Sequence, residues 1–260
     1  MRLLIDRMAN GGFGMALGPD GRVGMVPFSA VGDVVEVEVT RDAGRHIEAA
    51  ITTVIEPGSG RVQPRCPDFA RCGGCHVQHL SQGAQIGTKT TVLTEALHRI
   101  GRLETPSIEV VSGDPWGWRA RIDLHWAHGH FGFYARHTRW MIEPEACLIA
   151  RPALSALIPV LRRAVYALRP SPCDIEAIES ADGAVVLAVQ CRPAEAPWFA
   201  DQLSTIPGIA GVDAGSGRAR QVRGNVRVLW PTLGPNGSPG MVEQDARAFA
   251  QANAGLNPRL

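Results

Sequence analysis

The chain has 260 residues, 45% of them hydrophobic, and 26 Lys and Arg against 25 Asp and Glu leave a formal charge of +1. So even a balance excludes polyanion binding by global charge and requires any nucleic-acid surface to be local. No stretch approaches the run of about 18 apolar residues that a membrane span needs, and Asp6 and Arg7 occupy the place of a signal-peptide core, which makes the cytoplasm the expected location.

Residues 1–57 predict a small OB-like β-barrel. Gly11-Gly12 marks a turn, Asp20-Gly21 is a hairpin signal, and Val35, Val37 and Val39 alternate with Glu36 and Glu38, which puts the valines inward. OB-like barrels often hold oligonucleotides, although residues 1–65 carry seven arginines against eight acids. Glu56-Pro57-Gly58-Ser59-Gly60 reads as a linker.

Cys66, Cys72 and Cys75 follow, separated by five and by two residues, with Gly73 and Gly74 in the second gap. Three thiolates on a glycine-bearing loop can converge on one metal, and the spacing is nearer the C-x4-C-x2-C run of iron–sulfur proteins than zinc pairs. Cys147 is the best remaining fourth ligand, while plain packing of reduced thiols is the alternative. Six clustered cysteines suit a reducing compartment. Cys173 and Cys191 have no partners at ligand spacing and read as ordinary thiols.

Ser81 caps a predicted helix from about Gln82 to Ile100, ended by Gly101, with Ile86, Leu93, Leu97 and Ile100 as a buried stripe. Lys89, the chain's one lysine, shares its polar side with Arg99. It is either solvated or set against an RNA backbone.

Strands are expected between 108 and 142. In Trp118 to Trp126 the residues Arg119, Arg121, Asp123 and His125 share one face. Gly132-Phe133-Tyr134 leads to Arg136, His137 and Arg139. Arginines among Trp116, Trp118, Trp126, Phe133, Tyr134 and Trp140 offer phosphate forks beside stacking surfaces; an amphipathic sheet with wet arginines explains them equally. Four histidines between 125 and 137 read as a surface strand and turn rather than a metal site. Residues 152–169 predict a second helix with Leu154, Leu157, Leu161, Val165 and Leu168 inward, and 175–189 a hairpin turned at Asp182-Gly183. Asp213-Ala-Gly215-Ser-Gly217 mimics a methyl-donor loop, but no helical stripe follows it and a hairpin turn is the reading.

Cys66-x5-Cys72-Gly-Gly-Cys75-x2-Gln78-His79, followed by a helix carrying Gln85 and Lys89, resembles the iron–sulfur class of S-adenosylmethionine-dependent RNA uracil-C5 methyltransferases. That resemblance implies a 4Fe–4S cluster on Cys66, Cys72, Cys75 and Cys147. It also implies a TRAM domain over Asn10 to Val39 and, on the segment Phe249-x-Gln251-x-Asn253, a Gln251 that reaches S-adenosylmethionine. Arg119, Arg121, Arg136 and Lys89 are the expected contacts to rRNA or tRNA. Trp118 and Ala120 replace a Tyr and an Asn of the family pattern.

The resulting expectation is an α+β chain: a barrel at 1–57, a cluster-bearing central domain at 61–240, and at 241–260 the start of a link to a methyltransferase domain. In such enzymes the catalytic cysteine, the base and the glycine loop lie beyond the Phe-x-Gln-x-Asn segment, and no cysteine follows Cys191 here. Catalytic residues are therefore expected outside this chain, from a truncated or split enzyme whose catalytic domain a separate chain would supply. A stand-alone RNA-binding cluster protein and a zinc-stabilised interaction domain are the alternatives.

Overall fold

The computed structural model describes residues 1–104, 107–234 and 236–259. They form two compact units, residues 1–110 and 111–260; Leu260, the last residue of the expected linking segment, lies outside the described set.

In the first unit, β1 (Arg2–Leu4), β2 (Arg7–Ala9), β3 (Phe13–Leu17), β4 (Val23–Pro27), β5 (Val34–Asp42) and β6 (His46–Glu56) make one sheet in the order β1-β5-β6-β4-β3-β2. Only the β4–β6 pair is parallel. Leu3, Ile5, Ala16, Val26, Val35, Val37 and Ala49 fill its core. Val35 and Val37 point inward as their alternation predicts, but Val39 is 46% exposed. The β5–β6 register shifts between Val39 and Arg41, so the period-2 pattern outlives the inward face by one valine.

The helix α1 (Gln82–Arg99) begins where expected, with the Ser81 hydroxyl accepting from the Ala84 N–H at 3.3 Å. Its apolar stripe is not buried. No residue of α1 is buried within the unit, and Leu93 and Ile100 are 48% and 84% exposed.

Residues 61–80 fold back on the first sheet: the Val62 N–H donates to His79 O at 2.8 Å and the Ser81 N–H to Gly60 O at 2.9 Å. Leu80 packs with Met8 and Ala30. The cysteine loop belongs to the first unit, and the two units separate at 110/111.

The second unit holds β7 (Arg121–Ala127), β8 (His130–Tyr134), β9 (Met141–Ile142), α2 (Pro152–Leu168), β10 (Cys173–Glu179), β11 (Val185–Gln190), α3 (Ala196–Leu203), β12 (Ile209–Ser216) and β13 (Ala219–Gly224). Its sheet runs β13-β12-β11-β10-β7-β8-β9. The β11–β12 pair is parallel and is bridged by α3, since parallel neighbours need a crossover. Leu154, Leu157, Leu161 and Val165 of α2 pack on Ile122, Leu124, Ile175 and Leu187 of the sheet. On the other face Ala120, Ile178 and Val186 meet Val228 and Trp230 of the ribbon β14 (Arg227–Leu233) and β15 (Pro239–Asp245).

The 213–217 segment ends β12 and enters the hairpin turn to β13, in place of a loop that opens a helix. Gly215 is required there, because a Cβ at φ +122° would meet Ala219 O at 2.1 Å. No described helix is long and apolar enough to cross a membrane.

Candidate cysteine loop and nucleic-acid face

The cysteine loop is held by a carboxylate that nothing in the sequence flags. Asp33 is fully buried and accepts the Ala30 N–H at 2.6 Å, the Gly58 N–H at 2.8 Å, and Arg61 Nε and Nη2 at 2.9 and 2.5 Å. Burial alone would raise its pKa, but the Arg61 guanidinium and the two amides outweigh that and hold it below the usual range. Arg61 also donates to Phe28 O at 2.7 Å, so one guanidinium ties the start of the loop to the β4–β5 turn.

The far end of the loop is fixed by His79, 1% exposed, whose Nε2 donates to Ser29 O at 2.9 Å. Burial lowers its pKa and keeps it neutral. Between these anchors the rings of Phe28 and Phe69 meet edge to face at 5.2 Å, and Phe69 lies 5.7 Å from the His79 ring.

Cys66, Cys72 and Cys75 are half-buried on this loop, and none of the six cysteines is in a disulfide. The Phe69 N–H donates to Cys66 O at 3.2 Å and the Cys72 N–H to Asp68 O at 2.9 Å, closing a turn. The Gly74 N–H donates to Cys72 Sγ at 3.5 Å. The donor chemistry suits a soft metal. Among the described residues no three His, Cys, Asp or Glu side chains stand together as metal ligands. Asp33, Arg61 and the ring cluster anchor the two ends of the loop. Cys147 belongs to the second unit, where its N–H donates to Ser155 Oγ at 2.9 Å beside the start of α2.

On the second unit's sheet the predicted arginine face divides. Arg121, with its side chain 11% exposed, is paired with Glu176 and also donates to Ala246 O at 2.9 Å and Ala248 O at 2.7 Å. It fastens the segment after β15 to the sheet, a role that competes with RNA contact. Arg119 donates from Nε to Arg121 O at 2.8 Å and is half-buried. Buried Asp213 plays a similar part, gripped by Arg220 and by Arg247 Nε at 2.9 Å.

Lys89 is exposed on α1. Arg136 is half-buried, its pKa lowered by burial, and it opens a tight turn in which the Ala135 N–H donates to Trp140 O at 2.7 Å. His137, Arg139 and Trp140 are exposed on that turn, Trp140 by 79%.

The histidines lie on a surface strand and turn, as read from the sequence. Two of them have carboxylate partners that spacing could not reveal: His125 Nδ1 lies 2.6 Å from Asp174 and His130 Nδ1 2.6 Å from Glu143. Gln251 is exposed on a segment pinned by the Ala120 N–H to Ala252 O bond at 2.8 Å, next to Phe249, which is 81% exposed.

Residues 1–59 match the family described as tRNA (uracil(54)-C(5))-methyltransferase, TRAM domain. The 23S rRNA (uracil(1939)-C(5))-methyltransferase RlmD of Thiobacillus denitrificans is 31% identical over 259 residues, covering 93% of this chain and 59% of that protein. RlmD of Chromohalobacter salexigens is 36% identical over 206 residues, covering 75% of this chain and 43% of that protein. The crystal structure of Pyrococcus abyssi tRNA (uracil-54, C5)-methyltransferase in complex with S-adenosyl-L-homocysteine superimposes with a TM-score of 0.70 at 21% identity, over 98% of this chain and 62% of that one. The fold is shared with that protein, and the chain spans about half the length of the curated relatives it matches.

Proposed function

We propose that this chain, a relative of the RNA uracil-C5 methyltransferases with a TRAM domain over its first 59 residues, is the RNA-capturing part of such an S-adenosylmethionine-dependent enzyme. The observation that carries the reading is sequence kinship along 93% of the chain rather than any single pocket. The exposed Arg139–Trp140 turn supports it, because a guanidinium next to a bare indole pairs phosphate attraction with base stacking. Lys89, Arg119 and Arg136 are secondary candidates for the backbone of an rRNA or tRNA. Arg121 is assigned a positioning role through Glu176.

A 4Fe–4S cluster on Cys66, Cys72, Cys75 and Cys147 is proposed on spacing and resemblance, and S-adenosylmethionine contact by Gln251 on resemblance. A bound cluster would supply a cross-link; the chain's own Asp33, Arg61 and His79 already position the loop. Methyl transfer requires a nucleophile that adds to uracil C6 and a base that removes the C5 proton.

Fluorescence anisotropy of a labelled, uridine-bearing RNA hairpin tests the reading. Saturable binding is expected, weakened about 10-fold or more by the double change Arg139→Ala and Trp140→Ala, since each stacked base contributes about 1–3 kcal/mol. Absence of binding at low salt overturns it. Iron analysis of anaerobically purified protein decides the cluster: brown protein that loses iron in Cys72→Ser supports it, and colourless or zinc-bearing protein rejects it.

A further inference from the structure

A cavity of about 440 Å³ opens where β7, β10 and β11 end, lined among others by Trp126, Tyr134, Cys173, Asp174, Gln190 and Arg192. Its polar lining, Asp174 and Gln190, belongs to a row set by strand register that His125 flanks. Asp174 pairs with His125 on one side and with Gln190 on the other, so three side chains stand next to each other on one face of the sheet.

Each member of the row is oriented. His125 Nδ1 lies 2.6 Å from Asp174 Oδ1, and the imidazole stacks on Tyr134 with ring centres 4.1 Å apart and planes 22° from parallel. Gln190 Oε1 accepts from Arg247 Nη1 at 3.2 Å, which commits the carbonyl and keeps the NH2 as the donor it presents. On the opposite face of the sheet Trp126 and Cys173 are buried in the core, and burial next to Cys191 pushes the Cys173 thiol up to about 12, so it stays uncharged. Exposed Arg192 stands at the rim.

We propose that this cavity is a binding site for one unstacked guanine, with Arg192 on the adjoining phosphate. An amide donor followed by a two-oxygen carboxylate complements the O6, N1–H and N2–H2 order of guanine's Watson–Crick edge. Uracil sets O2 against the carboxylate, and cytosine and adenine set an amino group against the amide NH2. The Tyr134–His125 stack, on the same face as the row, supplies a flat surface for the ring. This inference rests on the RNA-capture reading and names the base that reading would hold here.

The test titrates the full chain with GMP, AMP, CMP and UMP, following tryptophan emission, and then repeats the RNA anisotropy with the variants. Saturable quenching by GMP is expected, roughly 10-fold tighter than by UMP. Asp174→Asn should erase that preference and Arg192→Ala should weaken every nucleotide. Asp174 carries an exposed side chain, so its variant should fold as the parent does, which far-UV circular dichroism checks. Equal affinity for all four nucleotides, or a guanine preference that survives Asp174→Asn, overturns the proposal. RNA binding indifferent to both variants also rejects the pocket while RNA capture stands. GMP binding without any RNA binding keeps the pocket and rejects RNA capture.

Discussion

The helices α1 and α2 read alike in sequence, each an apolar stripe at helical spacing, yet α2 buries Leu154, Leu157, Ile158, Leu161 and Val165 and α1 buries nothing within its unit. The difference lies in what faces them. The sheet of the second unit lays Ile122, Leu124, Ile175 and Leu187 under α2, whereas the first unit closes its sheet on a core of its own. Each unit pairs an apolar core with a buried carboxylate, and what the second adds is a helix laid on its sheet. A hydrophobic period states that a face exists, and only tertiary packing decides whether it is covered.

Three experiments sharpen or break that contrast, and one property of the chain makes them readable. All six tryptophans, Trp116, Trp118, Trp126, Trp140, Trp198 and Trp230, lie in the second unit, so their emission reports that unit while far-UV circular dichroism reports both. The largest effect is expected from Asp33→Ala, which strands Arg61 and two amides; loss of one partner of a buried pair costs about 3–5 kcal/mol. The circular dichroism melt should drop while tryptophan emission barely moves. Equal shifts in both signals would show that the units do not differ in this way.

Next comes a matched pair of truncations. Leu161→Ala should cost about 2–5 kcal/mol and lower the tryptophan transition, because Leu161 is fully buried. Leu93→Ala on α1, at a side chain 48% exposed, should stay within about 0.5 kcal/mol. A large loss at Leu93 would mean that its face is covered after all.

The smallest effect is in pH. Burial lowers the His79 pKa, so below about pH 6.5 the unfolded chain takes up a proton that the folded histidine refuses. The first unit's stability is then full above that pH and is lost as pH falls toward the depressed folded value. Asp33 adds a second loss lower down: its contribution is full above about pH 4 and disappears as pH falls through its own lowered pKa. His79→Phe should remove the upper step alone, and an unchanged slope near neutrality would contradict this assignment.

Much of the local structure was legible in the residues. Ser81, Gly101, Asp182-Gly183 and the 213–217 turn announce themselves because caps and turns are short-range chemistry. The anchor at Asp33 was not, since Asp33 and Arg61 stand 28 positions apart and no spacing rule joins them. The Arg121 pair with Glu176 was hidden for the same reason. Alternation places Arg121 on a face with His125 but does not say that the segment after β15 covers it. Pro57-Gly58-Ser59-Gly60 reads as a linker by composition, while Gly58 is clasped by Asp33.

The most direct test of RNA capture is the salt dependence of affinity for single-stranded, uridine-bearing RNA at rising salt. Contact with about three phosphates predicts that log affinity falls against log salt with a slope of about −2, shallower when Arg139 is replaced by Ala. Binding that ignores salt, or none at the lowest salt, would contradict the account.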